Sequence, residues 1–328
     1  MKEHIHQRKL KVGIALGAGG ALGLAHIGIL KSLNKHNIYP DFIAGTSMGA
    51  VIAAMYAAGY SPEGIEETAK KTDWKKIVDF TIPKAGLIRG KLAENYIRKL
   101  LYDKNFDQLK IPLGIVAYNY STREKVIFSK GNVTEAVRAS ISMPGIFAPL
   151  KMSSNYYIDG GLADPTPFDA VDEMGADFII AVDLYSATKT VSGPRAQKGK
   201  TLMSEFTQEF VSAEIRNLEK IIFPRKWPSM IRHFLMWSFE KIIYPARVLR
   251  ILSGRELPLI AKIMNETNSI LTNNLAKERL KHADIDFKIT PVLGNLSWSD
   301  FDRVEEFVKA GEEALEKEMP KLKKKLGI

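Results

Sequence analysis

Short apolar runs punctuated by glycine alternate with longer, partly polar stretches through the first half of the chain, a pattern that predicts alternating strands and helices. Lys11 to Leu16 reads as a short strand, followed by the turn Gly17-Ala18-Gly19-Gly20 and a helix from about Ala21 to Asn37. Phe42 to Gly45 reads as a second strand, running through Thr46-Ser47-Met48-Gly49 into a small-residue helix that ends near Gly59. Strand, helix, strand, helix with short connections predicts an α/β fold: a mostly parallel central sheet, doubly wound, with helices on both faces. Ser61-Pro62-Glu63 supplies an N-cap, a first-turn proline and an early acid for a further helix.

Beyond this, Pro112 to Tyr118 and Glu124 to Phe128 read as strands, Val133 to Ser140 as a helix, and Phe178 to Asp183 as a buried strand of the same sheet. After Ser186 the texture changes to a Gly/Pro/Lys-rich loop reaching about Lys200, then to a long helical and aromatic region. A strand-like run returns at Asp284 to Pro291, and Ser299 to Leu326 closes the chain as a charged amphipathic helix that Pro320 is expected to interrupt. No internal repeat is visible. These elements suit one domain over residues 8–328, into which residues 190–263 insert a helical, basic-aromatic cap above the site.

Composition narrows the function classes. With 45% hydrophobic and 26% charged residues, the chain is neither disordered nor fibrous. It has no cysteine, which removes disulfides, thiol catalysis and thiolate metal sites and is compatible with a reducing cytoplasm. The net charge of +10 suggests an anionic partner, nucleic acid or membrane. Val12 to Leu30 and Phe42 to Pro62 lack formal charges, but their glycines suit turns between buried elements better than a spanning helix. The same glycines argue against reading Lys9 to Ala25 as a secretory signal.

Gly45-Thr46-Ser47-Met48-Gly49 is a G-x-S-x-G nucleophile elbow between an expected strand and an expected helix. Its glycines let neighbouring chains press close, and the helix N-terminus favours a developing negative charge at the serine. The turn at Gly17 to Gly20 has three candidate roles. A dinucleotide fingerprint is a poor match, because Leu22 stands where the third glycine belongs and Asp41 precedes the second strand. A P-loop fails, since no Gly-Lys-Ser/Thr follows. The third role is an oxyanion hole, each donor of which contributes about 3 kcal/mol to the transition state; the elbow on the adjacent strand favours it over a bare turn.

A nucleophilic serine needs a base, and there are six histidines: His4, His6, His26, His36, His233 and His282. Only His233 and His282 follow the nucleophile as an α/β-hydrolase order requires, and they read as interfacial and as a solvated helix end. His26 reads as a core histidine of the first helix. The remaining candidate is Asp159, in Tyr157-Ile158-Asp159-Gly160-Gly161, which can take a serine proton directly if its site raises its basicity. An Asp-Gly turn capped by its own side chain is the alternative reading. Asp164, Asp169, Asp172 and Asp183 show no metal-ligand pattern, and no metal or other cofactor is expected.

Three segments in this order, Gly17-Ala18-Gly19-Gly20-Ala21-Leu22-Gly23, Gly45-Thr46-Ser47-Met48-Gly49 and Asp159-Gly160-Gly161, resemble the patatin-like phospholipase family. So do Leu24-Ala25-His26-Ile27-Gly28, Arg138-Ala139-Ser140, Met143-Pro144-Gly145 and Gly175-Ala176-Asp177, which are similar to runs in its bacterial members. The resemblance spans residues 10 to about 185 and resumes around 284 to 320. It implies a Ser47–Asp159 catalytic dyad without histidine, an oxyanion loop of Gly17, Ala18, Gly19 and Gly20, and hydrolysis through an acyl-enzyme. Two positions depart from the family: Ala18 stands where glycine is usual, and Leu22 where Arg or Lys is common.

Much of the positive charge is local. Between Ile221 and Arg255 lie Arg225, Lys226, Arg232, Lys241, Arg247, Arg250 and Arg255, against the single acid Glu240, among Phe223, Trp227, Phe234, Trp237, Phe239 and Tyr244. That mixture suits the headgroup boundary of an anionic bilayer; a lid or a homodimer contact is the alternative. No nucleic-acid-binding signature accompanies it. The expectation is therefore a cytoplasmic, peripherally membrane-associated hydrolase of phospholipid or acylglycerol esters. The rivals are a lysophospholipase or carboxylesterase without interfacial activation, and a catalytically silent lipid-binding regulatory protein.

Overall fold

A computed structural model describes residues 10–74, 76–79, 88–185 and 259–328, with the helical backbone alone for 259–265. The expected cap at 190–263 lies outside the described residues except where 259–263 begin a helix, and the basic-aromatic stretch 221–255 lies wholly outside them. The described residues contain eight strands: β1 (Val12–Leu16), β2 (Phe42–Thr46), β3 (Leu113–Asn119), β4 (Glu124–Phe128), β5 (Leu150–Met152), β6 (Asn155–Asp159), β7 (Phe178–Val182) and β8 (Phe287–Ile289). They form one mixed sheet. Its core is parallel, in the order β3-β2-β1-β7-β8.

The helices are α1 (Ala25–Lys35), α2 (Met48–Ala57), α3 (Pro62–Lys71), α4 (Lys91–Leu100), α5 (Val133–Ser140), α6 (Phe168–Glu173), α7 (Leu259–Lys281) and α8 (Val304–Leu326). Strand side chains alternate between two apolar layers. Ile14, Leu16, Ile43, Ile115 and Ile180 face a core shared with α1, α2 and α8. Ala15, Ala44, Val116 and Ile179 face the opposite layer, which α6 covers through Ala170 and Val171. With both faces covered, β1 is buried at every position, which is why it reads as an unbroken apolar run.

Side-chain caps start two of the helices, the first as the sequence predicts. The Ser61 hydroxyl accepts from the Gly64 amide at the start of α3, with Pro62 in the first turn. Asn132 caps α5 by accepting from the Glu135 amide. Three expectations need correction. The helix expected from Ala21 starts at Ala25, because Gly20–Leu24 winds as a 3-10 turn whose Ala21 amide donates to the Trp298 carbonyl at 2.7 Å. The strand expected over 284–291 is confined to Phe287–Ile289. Pro320 does not interrupt α8, since buried Leu315, Met319 and Leu322 hold the helix on the core around the one backbone bond lost.

The topology around β3 positions the site. Ile115 and Val116 pair with both β2 and β4, while Ala117 to Asn119 pair with both β4 and β6. With β4 along one edge throughout, β2 and β6 occupy the other edge in succession. β2 ends with Thr46 opposite Val116, and β6 takes over with Asp159 opposite Ala117. The residue after Thr46 is therefore delivered beside Asp159.

Candidate active site

Ser47 and Asp159 meet at the C-terminal end of the parallel strands, where open α/β sheets place their ligands. The Ser47 hydroxyl donates to Asp159 Oδ2 at 2.7 Å, across 112 residues of sequence. Both side chains are nearly enclosed, Ser47 at 7% and Asp159 at 6% exposure. Ser47 itself has φ 55° and ψ −121°, a left-handed conformation that a non-glycine residue holds at a cost of about 1–3 kcal/mol. Two features hold it there. The Ser47 amide donates to the Ser140 hydroxyl at 2.8 Å, and that hydroxyl donates to the Val116 carbonyl at 2.6 Å. The flanking glycines admit close contacts: a Cβ on Gly49 would lie 2.1 Å from the Leu16 carbonyl oxygen, and one on Gly45 2.4 Å from that of Gly49.

Asp159 is fixed from both sides. Its Oδ1 accepts from the Gly161 amide at 2.8 Å, and its own amide donates to the Ser142 carbonyl at 2.9 Å. Burial pushes the carboxyl up from 3.8 to about 6, against the hydrogen bonds from Ser47 and Gly161 that favour its ionised form. The Asp-Gly turn therefore does use its side chain as a local cap, and the other oxygen remains for Ser47.

The oxyanion candidates divide in the structure. The Ala18 amide donates to the Pro165 carbonyl at 2.8 Å, so it is engaged in holding the loop. Gly17 directly follows β1, and its carbonyl accepts from His26 Nε2 at 2.7 Å. Gly20 lines the same cavity as Ser47 and Asp159. It has φ +57°, and a Cβ there would lie 2.7 Å from the Trp298 carbonyl oxygen. Leu22, where a cation was the family expectation, is buried in the core.

No histidine approaches the serine among the described residues. His26 is fully buried, and burial lowers its pKa to about 4 although the Gly17 carbonyl favours the charged form. Bonding a carbonyl, the ring is neutral with its proton on Nε2. His36 and His282 pair with Glu316 and Glu278. His4, His6 and His233 lie outside the described residues. Among the described residues no three His, Asp or Glu side chains cluster as metal ligands.

Sequence reasoning missed a charged clasp beside the Asp159 turn. Asp164 and Asp169 both pair with Lys125 and with Arg279 of α7, at 2.6 to 3.3 Å. Burial raises the Asp164 carboxyl to about 6 despite Arg279 and Lys125; Asp169, less enclosed, is held low by the same two cations although burial opposes them. The clasp ties α7 to the segment that follows Asp159, and Thr272 of α7 packs near Gly161. No signal in the linear sequence pairs residues 125, 164, 169 and 279. Ser140 appears in the sequence only as part of a family-like run, with no role attached.

Ser47 and Asp159 open into an apolar cavity of ≈ 200 Å³, lined by Ile52, Met55, Ile65, Ile97, Phe147 and Trp298 among others. Such a cavity accepts a hydrocarbon chain and offers little to a polar one. Among the described residues no helix is long and apolar enough to cross a membrane.

Residues 14–172 match the family model described as patatin-like phospholipase. The chain is 32% identical over 203 residues to an uncharacterized NTE family protein of Mycobacterium tuberculosis, covering 61% of this chain and 56% of that one. It is 32% identical over 181 residues to lysophospholipase NTE1 of Candida albicans, covering 53% and 13%, and 30% identical over 189 residues to patatin-like phospholipase domain-containing protein 6 of Mus musculus, covering 55% and 14%. The chain thus spans little more than half the length of the mycobacterial relative and a small part of the other two. The solved structure of VipD from Legionella pneumophila shares the fold, with a TM-score of 0.54 at 14% identity over 95% of this chain and 67% of that one.

Proposed function

We propose that this protein is a lipid acyl hydrolase cleaving carboxylic ester bonds of phospholipids or acylglycerols, a reading supported by the match of residues 14–172 to the patatin-like phospholipase family model. The observation that carries the proposal is the 2.7 Å hydrogen bond from Ser47 to Asp159 at the wall of an apolar cavity, with no histidine in reach among the described residues. In this reading Ser47 Oγ attacks the ester carbonyl as its proton passes to Asp159 Oδ2. The Gly19 and Gly20 amides, with the N-terminus of α2, stabilise the oxyanion; Gly17 and Ala18 shape the loop through their bonds to His26 and Pro165. Collapse expels the alcohol, which takes the proton back from Asp159. Water then attacks the acyl-enzyme, delivering a proton to Asp159 that returns to Ser47 as the fatty acid leaves.

The carboxyl raised to about 6 suits this exchange, being ionised at neutral pH yet more basic than an exposed aspartate. Residues 8–328 act as one domain in the proposal, with 190–263 as its cap and the basic-aromatic stretch 221–255 as its contact with anionic lipid. The test compares wild type with Ser47→Ala, Asp159→Asn and the double variant, using mass spectrometry of products from a mixed lipid extract and fluorophosphonate labelling of Ser47. Each single substitution is expected to lower hydrolysis by several orders of magnitude, and the double variant to be little worse than either. Strictly multiplicative losses, or no labelling of folded wild type, refute the dyad.

A further inference from the structure

The C-terminal segment, beyond the residues matched by the family model, reaches into the site. Helix α8 crosses α1 with almost no space between backbones: a Cβ on Gly28 would lie 1.9 Å from the Val308 carbonyl oxygen, and one on Gly311 2.0 Å from that of Ala25. Because α1 follows directly from the Gly20–Leu24 turn, this crossing holds the segment leading into α8 against the oxyanion loop. That segment is braced within itself, the Ser297 amide donating to Asp300 Oδ2 at 2.9 Å and the Arg303 amide to the Asp300 carbonyl at 3.1 Å. Within the first of these turns lies Trp298. Its carbonyl takes the Ala21 amide at 2.7 Å, and its ring carbon Cε3 lies 3.4 Å from where a Gly20 Cβ would be. Trp298 lines the cavity together with Ser47 and Asp159. Phe301, three residues on, packs against Trp74 with ring centroids 4.6 Å apart and tilted by 36°, and extends the same wall.

We propose that Trp298 is a specificity-determining residue for the acyl chain, its indole forming the apolar wall on which the chain of the bound ester lies next to the reacting carbonyl. The inference rests on the hydrolase reading above and adds to it the side chain that selects the substrate. An indole fixed this close to the oxyanion loop gives every additional methylene of a straight chain an apolar surface, whereas an acetyl group is too short to use it. Discrimination by apolar contact of this kind is worth on the order of tenfold or more.

The experiment measures kcat and KM of wild type, Trp298→Ala and Trp298→Phe on the p-nitrophenyl esters of acetate and decanoate, with fluorophosphonate labelling of Ser47 in each protein. Trp298→Ala is expected to lower the decanoate-to-acetate ratio of kcat/KM by roughly tenfold, chiefly through KM for decanoate. Trp298→Phe keeps a flat apolar ring and is expected to hold the ratio within about threefold of wild type. A ratio unchanged in an active Trp298→Ala protein, or both esters and the labelling falling equally in both variants, overturns the proposal and leaves Trp298 a structural residue. A wild type that hydrolyses neither ester and takes no label overturns the hydrolase reading itself, and the specificity inference falls with it.

Discussion

Asp159→Asn is expected to lower hydrolysis by several orders of magnitude and, at neutral to alkaline pH, to make the protein more stable. Among the described residues the Ser47 hydroxyl and the Gly161 amide favour the ionised Asp159 carboxylate, and burial outweighs them to lift the carboxyl from 3.8 to about 6. That rise corresponds to roughly 3 kcal/mol lost by the fold when the group is fully ionised. Asparagine removes the charge and keeps both hydrogen bonds, its carbonyl accepting from Gly161 and its amide donating to the Ser47 hydroxyl. The sign follows from linkage. A carboxyl that binds its proton more tightly folded than unfolded contributes stability fully present below 3.8 and lost as pH rises through about 6. The advantage of the variant should therefore grow from about 1 kcal/mol at about pH 4.5 to roughly 3 kcal/mol at about pH 8 in urea-unfolding free energies. The same carboxylate should set the acid limb of the wild-type kcat/KM profile near about 6. An advantage that does not change with pH, or a variant less stable than wild type at pH 8, refutes the account of a catalytic charge held at the expense of stability.

His26 should titrate near about 4 by NMR, and His26→Gln, whose amide can still donate to the Gly17 carbonyl, should keep kcat within about tenfold of wild type. A loss of a thousandfold in folded His26→Gln would make the histidine a catalytic base. Gly20→Ala adds a Cβ at φ +57° and 2.7 Å from the Trp298 carbonyl oxygen, displacing the loop proposed to hold the oxyanion; kcat on a soluble ester should fall by on the order of a hundredfold with little change in KM. Unchanged kcat would remove Gly20 from the oxyanion hole. Reversing Arg225, Lys226 and Arg232 to Glu should weaken flotation with anionic vesicles and slow hydrolysis of aggregated phospholipid while sparing a soluble ester, each lost cation being worth about 1 kcal/mol near the surface. Equal loss of both activities would make the stretch a lid or subunit contact.

What the sequence determined by itself was the part governed by neighbours along the chain. Buried parallel strands must be apolar on both faces, so β1, β2, β3 and β7 stand out as runs, and the glycines of the elbow are required wherever a strand turns sharply into a helix against another backbone. Ser61 announces a helix start because a cap is a bond to a residue only three positions away. Tertiary structure decided everything that depends on which distant segment shares an edge or a layer. Asp159 reaches Ser47 only because β6 continues the edge of β3 that β2 leaves, and Asp159 gains its raised pKa only once that edge is enclosed. The Ala18 amide belongs to Pro165, α1 begins four residues late because Trp298 draws Ala21 into a tighter turn, and Pro320 is carried through a helix by the core beneath it. The four charges at residues 125, 164, 169 and 279 became a clasp for the same reason. Hydrophobic periodicity tells each residue whether it faces inward, but partners across more than a hundred residues are chosen by the strand order and layer packing of the folded chain.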